Sequence, residues 1–413
     1  MKLLYNLSIF IYSILIRLSA PFNLKASQIQ KGRRRVFDEL PTHINHERPV
    51  IWVHCASLGE FEQGRPLIEA IKKQYPAYQV FLTFFSPSGY EIRKNYELAD
   101  YIYYLPADTK RNARKLIELI NPEIVFFVKY EFWFHYIQEL KKRNIPLYIV
   151  SAIFRSNQLF FKNSPWGKWY RNMLFGVKHF FVQDEKSVEL LSRIGLKNVT
   201  KTGDTRFDRV ADIARNAKDI PLVEAFKGSH QLVVAGSTWK PDEELLAEYI
   251  HSHPETKFVI APHETKRINI DRLINLLKTS VVCYTEATQG TVENKQVLII
   301  DTIGLLSSVY RYADLAYIGG GFGVGIHNTL EAAIFEMPIV FGPNYLKFNE
   351  ATTMVEMEVA FPVTNYPQLK TIMETLLADP AKRDAIAKKC NTFTARNIGA
   401  TQTIIGLIFN KSL

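Results

Sequence analysis

The chain has 413 residues, of which 47% are hydrophobic and 22% are charged, and its formal net charge at pH 7 is +10. This length predicts two domains, and the composition excludes a disordered chain. The basic balance suits an anionic partner, but the basic residues are spread out except for KGRRR at 31–35, which argues against nucleic-acid binding. Cys55, Cys283 and Cys390 lie far apart, so the sequence predicts neither a disulfide framework nor a zinc site.

The first segment of the chain is apolar. Residues 3–22 have the sequence LLYNLSIFIYSILIRLSAPF, which Asn6 and Arg17 interrupt, so the unbroken part is shorter than the roughly 20 apolar residues of a comfortable membrane span. We expect residues 1–22 to form a membrane anchor that lies on the bilayer or barely crosses it. The absence of a small-x-small cleavage site disfavours a signal peptide, and the basic residues that follow favour a cytoplasmic location for the rest of the chain. A buried helix is the remaining alternative.

From residue 50 onward, strand-like and helix-like segments alternate. The first series of apolar runs contains VIWVHCAS, QVFLTFF, YIYYL, EIVFFV, PLYIVSAIF and HFFVQ. After a softer region at 204–230, a second series contains QLVVAGS, KFVIAPH, VVCYT, QVLIID, LAYIGGG and PIVFGP. The alternation predicts an α/β protein of two doubly wound, Rossmann-like domains that face a cleft, with bounds at 23–215 and 216–413.

The segment Ser57-Leu58-Gly59-Glu60 lies where the first predicted strand ends and a helix begins. S-x-x-E is the capping-box pattern, in which both side chains bond to the helix backbone. Ligands of doubly wound sheets bind beyond the carboxyl ends of strands, so the same position suits a functional carboxylate. Both interpretations of Glu60 stay open from the residues alone. Glu131 follows the run EIVFFV in the same way, and its alternative is a helix-start glutamate beside core aromatic residues.

A glycine-rich turn follows the predicted strand LAYI. Five glycines occur between residues 319 and 325, followed by His327 and Asn328. The spacing excludes a P-loop and gives poor support to a dinucleotide fingerprint. Backbone N–H groups in such a turn and at a helix start form an anion site, so we favour phosphate binding over a purely structural loop. Asn328 and Glu331 also fit an ordinary N-cap.

Two further strand ends carry polar groups. Ser237 and Thr238 follow the run QLVVAG, and their hydroxyls suit either a capped helix or a phosphate contact. His263, Lys266 and Arg267 follow another strand, which favours an anionic ligand. No DxD pair follows a strand and no H-E-x-x-H segment occurs, so we predict no metal site.

Together these segments resemble the Kdo transferases of lipopolysaccharide synthesis, along nearly the whole chain. The shared segments are HCASLGE, SPSGYE, YLPAD, the EFW block, SAIF with Arg155 and Ser156, GDTRFDR, GSTW-x-x-DEE, APHE, DTIG, GIHNTLEAA and FGPN. The resemblance implies GT-B architecture and an inverting, metal-independent transfer of 3-deoxy-D-manno-octulosonic acid (Kdo) from CMP-Kdo to a lipid A precursor, lipid IVA. It implies no cofactor and no nucleic-acid partner, and a location on the cytoplasmic face of the inner membrane.

The resemblance also implies roles for individual residues. Residues 23–215 would bind the acceptor and 216–413 the donor. Glu60 matches the catalytic base, Glu131 matches an acidic position on the acceptor side, and Ser237 with Thr238 match a hydroxyl pair near the phosphate. The implied CMP contacts are Pro262, His263, Ile303, Gly304, Leu305, Asn328, Thr329, Leu330 and Glu331.

The chain departs from the family pattern at three places. His263-Glu264 stands where many relatives have arginine-histidine, Leu305 where an acidic residue is common, and Gly325-Ile326 where two glycines are usual. Two alternatives remain. One is another GT-B glycosyltransferase with a UDP-sugar donor, and the other is a membrane-associated sugar- or nucleotide-binding protein without catalytic activity.

Overall fold

The computed structural model describes residues 1–410 and divides the chain into two compact α/β units. The first unit contains Met1–Arg209 and the segment that starts at Asn397, and the second contains Val210–Arg396. Each unit has its own seven-stranded parallel sheet. The predicted fold class, a GT-B architecture of two doubly wound α/β units, is confirmed.

Twelve of the fourteen strands described within residues 1–410 follow the predicted apolar runs. The first sheet contains β1 (Val50–Cys55), β2 (Gln79–Phe84), β3 (Tyr101–Tyr104), β4 (Ile124–Val128), β5 (Leu147–Ala152), β6 (His179–Val182) and β7 (Val199–Lys201). The second sheet contains β8 (Leu232–Thr238), β9 (Lys257–Pro262), β10 (Val281–Cys283), β11 (Val297–Ile299), β12 (Leu315–Ile318), β13 (Ile339–Phe341) and β14 (Ala360–Pro362). The sequence did not predict β7 and β14, because three residues at a sheet edge carry almost no alternation.

The helices lie between the strands and at the two ends of the chain. Those that begin before residue 220 are α1 (Lys2–Ser19), α2 (Leu24–His43), α3 (Leu58–Gln74), α4 (Pro87–Arg93), α5 (Lys110–Ile120), α6 (Phe134–Lys142), α7 (Pro165–Leu174), α8 (Glu185–Arg193) and α9 (Arg206–Arg215). The later ones are α10 (Pro221–Lys227), α11 (Lys240–Ser252), α12 (Arg267–Leu277), α13 (Gln289–Val292), α14 (Leu306–Val309), α15 (Leu330–Ala333), α16 (Asn349–Glu356), α17 (Tyr366–Ala378), α18 (Pro380–Asn397) and α19 (Ala400–Phe409).

The strand order of each sheet reverses once. The first sheet has the order β3-β2-β1-β4-β5-β6-β7, and the second has β10-β11-β9-β8-β12-β13-β14. In the first sheet, alternate residues of β1 enter two different cores, with Trp52 in one and Val53 in the other. Both faces of this sheet are therefore covered, as a parallel sheet requires. The order reverses between β1 and β4 and between β8 and β12, and such points are where doubly wound sheets bind ligands.

The N-terminal helix α1 rests on the first unit through polar side chains. Tyr5 donates to the carboxylate of Asp108 at 2.5 Å, and a ring nitrogen of His135 lies 2.7 Å from the amide oxygen of Asn6. The apolar side chains instead point to solvent; the exposed ones are Leu3, Leu4, Leu7, Phe10, Ile11, Leu15 and Leu18. The alternative of a buried helix is therefore wrong. Of the helices within residues 1–410, α1 alone is long and apolar enough to cross a membrane.

The C-terminal segment belongs to the first unit, whereas the sequence placed it in the second domain, 216–413. The carboxylate of Asp208 accepts hydrogen bonds from the backbone N–H groups of Gly399, at 2.5 Å, and Thr401, at 2.7 Å, which holds the start of α19. Along α19, three isoleucines enter a core of the first sheet; they are Ile404, Ile405 and Ile408. These contacts join residues almost 200 positions apart, so no local pattern could reveal them.

Candidate active site

The first switch point is the pair of turns that follow β1 and β4, residues 56–60 and 129–133. Because β1 and β4 are parallel neighbours, the polar groups that follow them share one edge of the sheet. Both carboxylates that the sequence selected in this half, Glu60 and Glu131, lie at this edge.

Glu60 is the third residue of α3, and Ser57 is the residue before the helix. The Ser57 hydroxyl donates to the Glu60 carboxylate and makes no bond to the helix backbone. The Nζ atom of Lys129 lies 3.9 Å from the other carboxylate oxygen, and the Glu60 side chain is 20% exposed. Glu60 is therefore oriented by two side chains and open to solvent, without the reciprocal backbone bonds of a capping box.

Lys129 adopts a backbone conformation that is rare for its type. Its φ angle is +63°, in the left-handed region, directly after β4. A non-glycine residue held there costs on the order of 1 kcal/mol or more, and such positions cluster at functional sites. Nothing in the local sequence pattern around Lys129 indicates its approach to Glu60, so the sequence does not predict its role.

Glu131 is held by a chain of buried donors. Its Oε2 atom lies 2.8 Å from the indole nitrogen of Trp133 and 3.2 Å from Nε2 of His54, which is fully buried. On the far side of the imidazole, Nδ1 lies 2.9 Å from the hydroxyl of Thr83, which accepts from the indole of Trp52 at 2.8 Å. Nδ1 also lies 3.1 Å from the carbonyl oxygen of Thr83, so both ring nitrogens of His54 have partners, and the imidazole helps to orient the Glu131 carboxylate.

The second switch point is formed by the last residues of β8 and the residue after it, 237–239, and by the turn that follows β12, 319–328. The two segments are closely joined, since the N–H of Gly319 donates to the carbonyl of Gly236 at 2.9 Å. A Cβ atom on Gly319 would lie 2.3 Å from the carbonyl oxygen of Ser237, so only glycine fits. Close packing therefore accounts for part of the glycine pattern, whereas Gly323 has room for a side chain and no such explanation.

A buried carboxylate orders the glycine-rich turn. Asp242 accepts hydrogen bonds from the backbone N–H groups of Trp239 and Gly320 and from the hydroxyl of Tyr317, each at 2.9 Å. Burial raises the pKa of this carboxyl above its usual value. Asp242 thus connects the first turn of α11 to the loop after β12, and its side chain faces inward.

Three aromatic rings form a stack at the second switch point. The His263 ring lies 4.6 Å from that of Trp239 and 4.5 Å from that of His327, nearly parallel to both. The indole of Trp239 donates to Nε2 of His327 at 3.0 Å, so this nitrogen is unprotonated. Burial and the neighbouring His263 lower the pKa of His327 to about 4, and burial also lowers the pKa of His263. The stack is therefore a neutral, partly exposed surface at neutral pH, and no local pattern in the sequence predicts it.

The remaining predicted contacts differ in how accessible they are. The Thr238 hydroxyl donates to the buried carboxylate of Glu243 at 3.1 Å, whereas the Ser237 hydroxyl has no hydrogen-bond partner within residues 1–410. Ser237 also has a left-handed backbone, with φ +53°. Of the predicted hydroxyl pair, only Ser237 is thus available to a ligand.

The segment from Asn328 to Glu331 forms a small polar cluster. The amide oxygen of Asn328 accepts from the N–H of Leu330 at 3.1 Å, and its amide nitrogen donates to Glu331 at 2.9 Å. The N-cap of α15 is Thr329, so the N-cap interpretation of Asn328 is wrong, and its amide oxygen instead accepts from the residue two positions ahead. The buried Thr329 hydroxyl has no partner within the described chain, and the side chain of Leu330 is in the core.

The turn after β11 and the end of β9 provide the other predicted residues. Ile303 is 88% exposed, Gly304 has φ +96°, and Leu305 precedes α14. Pro262 is buried as the last residue of β9. No group of three or more histidine, cysteine, aspartate or glutamate side chains within residues 1–410 is placed to hold a metal ion.

Comparison with known proteins shows which enzymes the chain is similar to. Residues 30–209 match the family model of the 3-deoxy-D-manno-octulosonic-acid transferases. The 3-deoxy-D-manno-octulosonic acid transferase of Haemophilus influenzae is 25% identical over 373 residues, which cover 87% of this chain and 86% of that protein. The enzyme of the same name from Chlamydia trachomatis serovar A is 27% identical over 365 residues, which cover 85% of this chain and 83% of that protein. Most of the chain is therefore similar to Kdo transferases, and this similarity supports a glycosyltransferase, as the sequence predicted.

Solved structures agree with the fold. UDP-GlcNAc 2-epimerase from Neisseria meningitidis, bound to UDP-GlcNAc, superposes with a TM-score of 0.58 at 15% identity and covers 87% of this chain and all of that one. The glycotransferase of kitacinnamycin superposes with a TM-score of 0.55 at 13% identity, over 86% of this chain and 97% of that one. At these identities the likeness concerns the fold alone.

Proposed function

We propose that this protein transfers Kdo from CMP-Kdo to a hydroxyl group of a lipid A precursor, with inversion at the anomeric carbon. The observation that carries the proposal is the position of Glu60, at the switch point of the unit that contains all of the family match. The first unit would bind the acceptor and the second the donor.

Glu60 would act as the general base. Its carboxylate would take the proton of the acceptor hydroxyl as that oxygen attacks the anomeric carbon, and the bond from Kdo to the CMP phosphate would break. The hydrogen bond from Ser57 and the charge of Lys129 would hold the carboxylate in one orientation and leave an oxygen accessible. Glu131, fixed by His54 and Trp133, would position the acceptor beside it.

The second switch point would bind CMP. Backbone N–H groups of the turn after β12 and the hydroxyl of Ser237 suit the phosphate, on which negative charge develops as it leaves. Glu331 suits the ribose hydroxyls, because a carboxylate accepts hydrogen bonds from two neighbouring hydroxyls. The neutral ring stack of Trp239, His263 and His327 would add an apolar surface next to the nucleotide.

The acceptor is amphiphilic, and α1 suits an enzyme that meets it at a membrane. A helix that docks on its own protein through Tyr5 and Asn6 and exposes its leucines is suited to lie in the bilayer surface. The basic residues after α1 would favour the cytoplasmic leaflet of the inner membrane.

The test is the mass of the product after incubation with CMP-Kdo and a tetraacylated lipid A precursor. We expect the acceptor mass to increase by one or more Kdo residues, which also gives the number of additions. Parallel reactions with UDP-sugars are the matched control. Product with a UDP-sugar and none with CMP-Kdo would replace the proposed donor.

A further inference from the structure

A cavity of about 220 Å³ lies in the first unit between α1, α2 and the loop before α5. Six polar residues line it, none of them acidic: Ser13, Arg17, Gln30, Arg33, Arg34 and Asn112. The cavity therefore collects three positive charges and no negative charge.

Arg33 is the innermost of these cations. Its Nε atom donates to the carbonyl oxygen of Leu105 at 3.0 Å, and its guanidinium group lies over the rings of Phe85, at 4.9 Å, and Tyr12, at 5.6 Å. The Nη2 atom is buried and has no hydrogen-bond partner within residues 1–410. Burial lowers the pKa of Arg33, since it disfavours the charged form. A buried charge with an unused donor is costly unless a ligand pairs with it.

The arginines that line the cavity have no counter-ions among residues 1–410. Within the described part of the chain, none of Arg17, Arg33 and Arg34 forms an ion pair with a carboxylate. The next residue of α2, Arg35, lies outside the cavity and pairs with Glu39 at 2.6 Å. Arginine matches the oxygens of a phosphate group with a planar fork of donors, so three unpaired arginines around one cavity suit a phosphate.

The position of the cavity indicates where this phosphate comes from. Ser13, Ile16 and Arg17 line it from α1, and the neighbouring Leu15 and Leu18 are exposed. A group bound there would lie beside the apolar side chains that are suited to a bilayer. The cavity is smaller than the roughly 300–1,000 Å³ of sites for whole small molecules, which suits a headgroup whose remainder stays in the membrane.

We propose that this cavity binds the phosphate monoester of a membrane lipid between Arg17, Arg33 and Arg34. A monoester carries a charge of about −1.5 to −2 at neutral pH and three terminal oxygens, more than the single charge of a diester. The inference rests on the proposed function only in that α1 contacts the membrane, and it does not require Kdo transfer.

The test is sedimentation of the full chain with phosphatidylcholine vesicles that contain either phosphatidic acid, a monoester, or phosphatidylglycerol, a diester, at equal surface charge. We expect the unmodified protein to prefer phosphatidic acid. The double variant Arg17→Gln/Arg34→Gln changes two exposed residues that make no ion pair, and Arg33→Met changes the inner cation. Each should lose the preference for the monoester by about tenfold or more. The matched control, Lys25→Gln/Lys31→Gln, removes two exposed charges of α2 outside the cavity. It should weaken binding to both kinds of vesicle equally.

Several outcomes would overturn the inference. One is that the control variant loses the preference for phosphatidic acid as fully as the Arg17/Arg34 variant does. Another is that the unmodified protein shows no preference for phosphatidic acid. A third is inorganic phosphate, titrated without vesicles, that binds as tightly as the lipid, because the ligand would then be free phosphate. The melting temperatures of all variants separate loss of binding from loss of fold. The Arg17/Arg34 variant leaves the protein interior unchanged and should therefore melt like the unmodified protein. Kdo transfer by the unmodified protein is measured alongside: a preference without transfer rejects the proposed function alone, and transfer without a preference rejects the cavity alone.

Discussion

The two switch points have the same topology and opposite chemistry. After β1 and β4 the side chains are charged, with Glu60, Lys129 and Glu131 held by partners that leave a carboxylate accessible. After β8 and β12 the groups are mostly neutral rings and a hydroxyl, with the Glu331 carboxylate farther along, and the buried acids Asp242 and Glu243 accept hydrogen bonds from within the unit. A charged edge suits proton transfer, whereas an edge of mostly neutral groups suits binding of a phosphate anion and a nucleobase. The proposed function uses this difference, with proton transfer at the first switch point and donor binding at the second.

The largest expected effect is that of Glu60→Gln. Glutamine retains the size and can still accept the Ser57 bond, but it cannot take up a proton. Kdo transfer should fall by about 10²–10⁴-fold, with melting temperature and CMP affinity unchanged. The matched control is Glu62→Gln, two positions along α3, whose carboxylate pairs with Arg93 and which should retain transfer. A Glu60 variant that transfers normally and melts earlier would return Glu60 to a structural role.

The next effect should be on donor binding. Glu331→Ala removes a charged acceptor from the second switch point, and we expect CMP affinity, measured by calorimetry, to fall by about 10–100-fold. Glu356→Ala removes an exposed carboxylate from α16 in the same unit and is the control. Unchanged CMP affinity in the Glu331 variant would show that Glu331 does not bind the ribose of CMP.

A smaller loss of affinity should follow Trp239→Ala. The substitution removes a ring that is 41% exposed and its hydrogen bond to His327. Aromatic contacts contribute about 0.5–1.5 kcal/mol, so CMP should bind about 2- to 10-fold more weakly. Trp166→Ala, in the first unit, should leave CMP affinity intact. Equal effects of the two variants would show that the ring stack does not contact the nucleotide.

The smallest effect concerns pH. The pKa of His327 is lowered to about 4 in the folded protein, below its usual 6.5, so the fold favours the neutral ring. Its contribution to stability is complete above about pH 6.5 and is lost as the pH falls toward 4, since the unfolded chain then binds a proton that the folded chain does not. His327→Gln should therefore reduce the fall in melting temperature between pH 7 and pH 4.5. His230→Gln, an exposed histidine of the same unit, should leave that fall unchanged; an identical slope in both variants would contradict the prediction.

The sequence predicts those structural features that depend on neighbouring residues in the chain. The strands β1 to β6 and β8 to β13 follow from runs of buried residues, and Glu60 and Glu131 are predicted because a residue after a strand lies at the ligand-binding edge. Partners across the sheet are not predictable in this way. His54 is a strand residue whose role depends on Thr83 and Glu131, and Lys129 becomes significant only when its Nζ atom is seen near Glu60.

The same limit holds for the arginines and the ring stack. KGRRR is visible as a basic segment, but only the packing of α1 against α2 separates the unpaired Arg33 from the paired Arg35. Trp239, His263 and His327 come from three strand ends far apart in the chain, and their contact is a result of strand order. Such sites require the fold before they can be recognised.

The hydrogen bonds from Gly399 and Thr401 to Asp208 have a consequence for synthesis on the ribosome. Val210–Arg396 is continuous in the chain, so all of the second unit emerges before α19 does. The first unit begins earlier and is finished later, because Ile404, Ile405 and Ile408 must return to its core after the whole intervening unit has been translated. Until then, the nascent first sheet exposes an uncovered apolar surface, which is the kind of surface that chaperones bind.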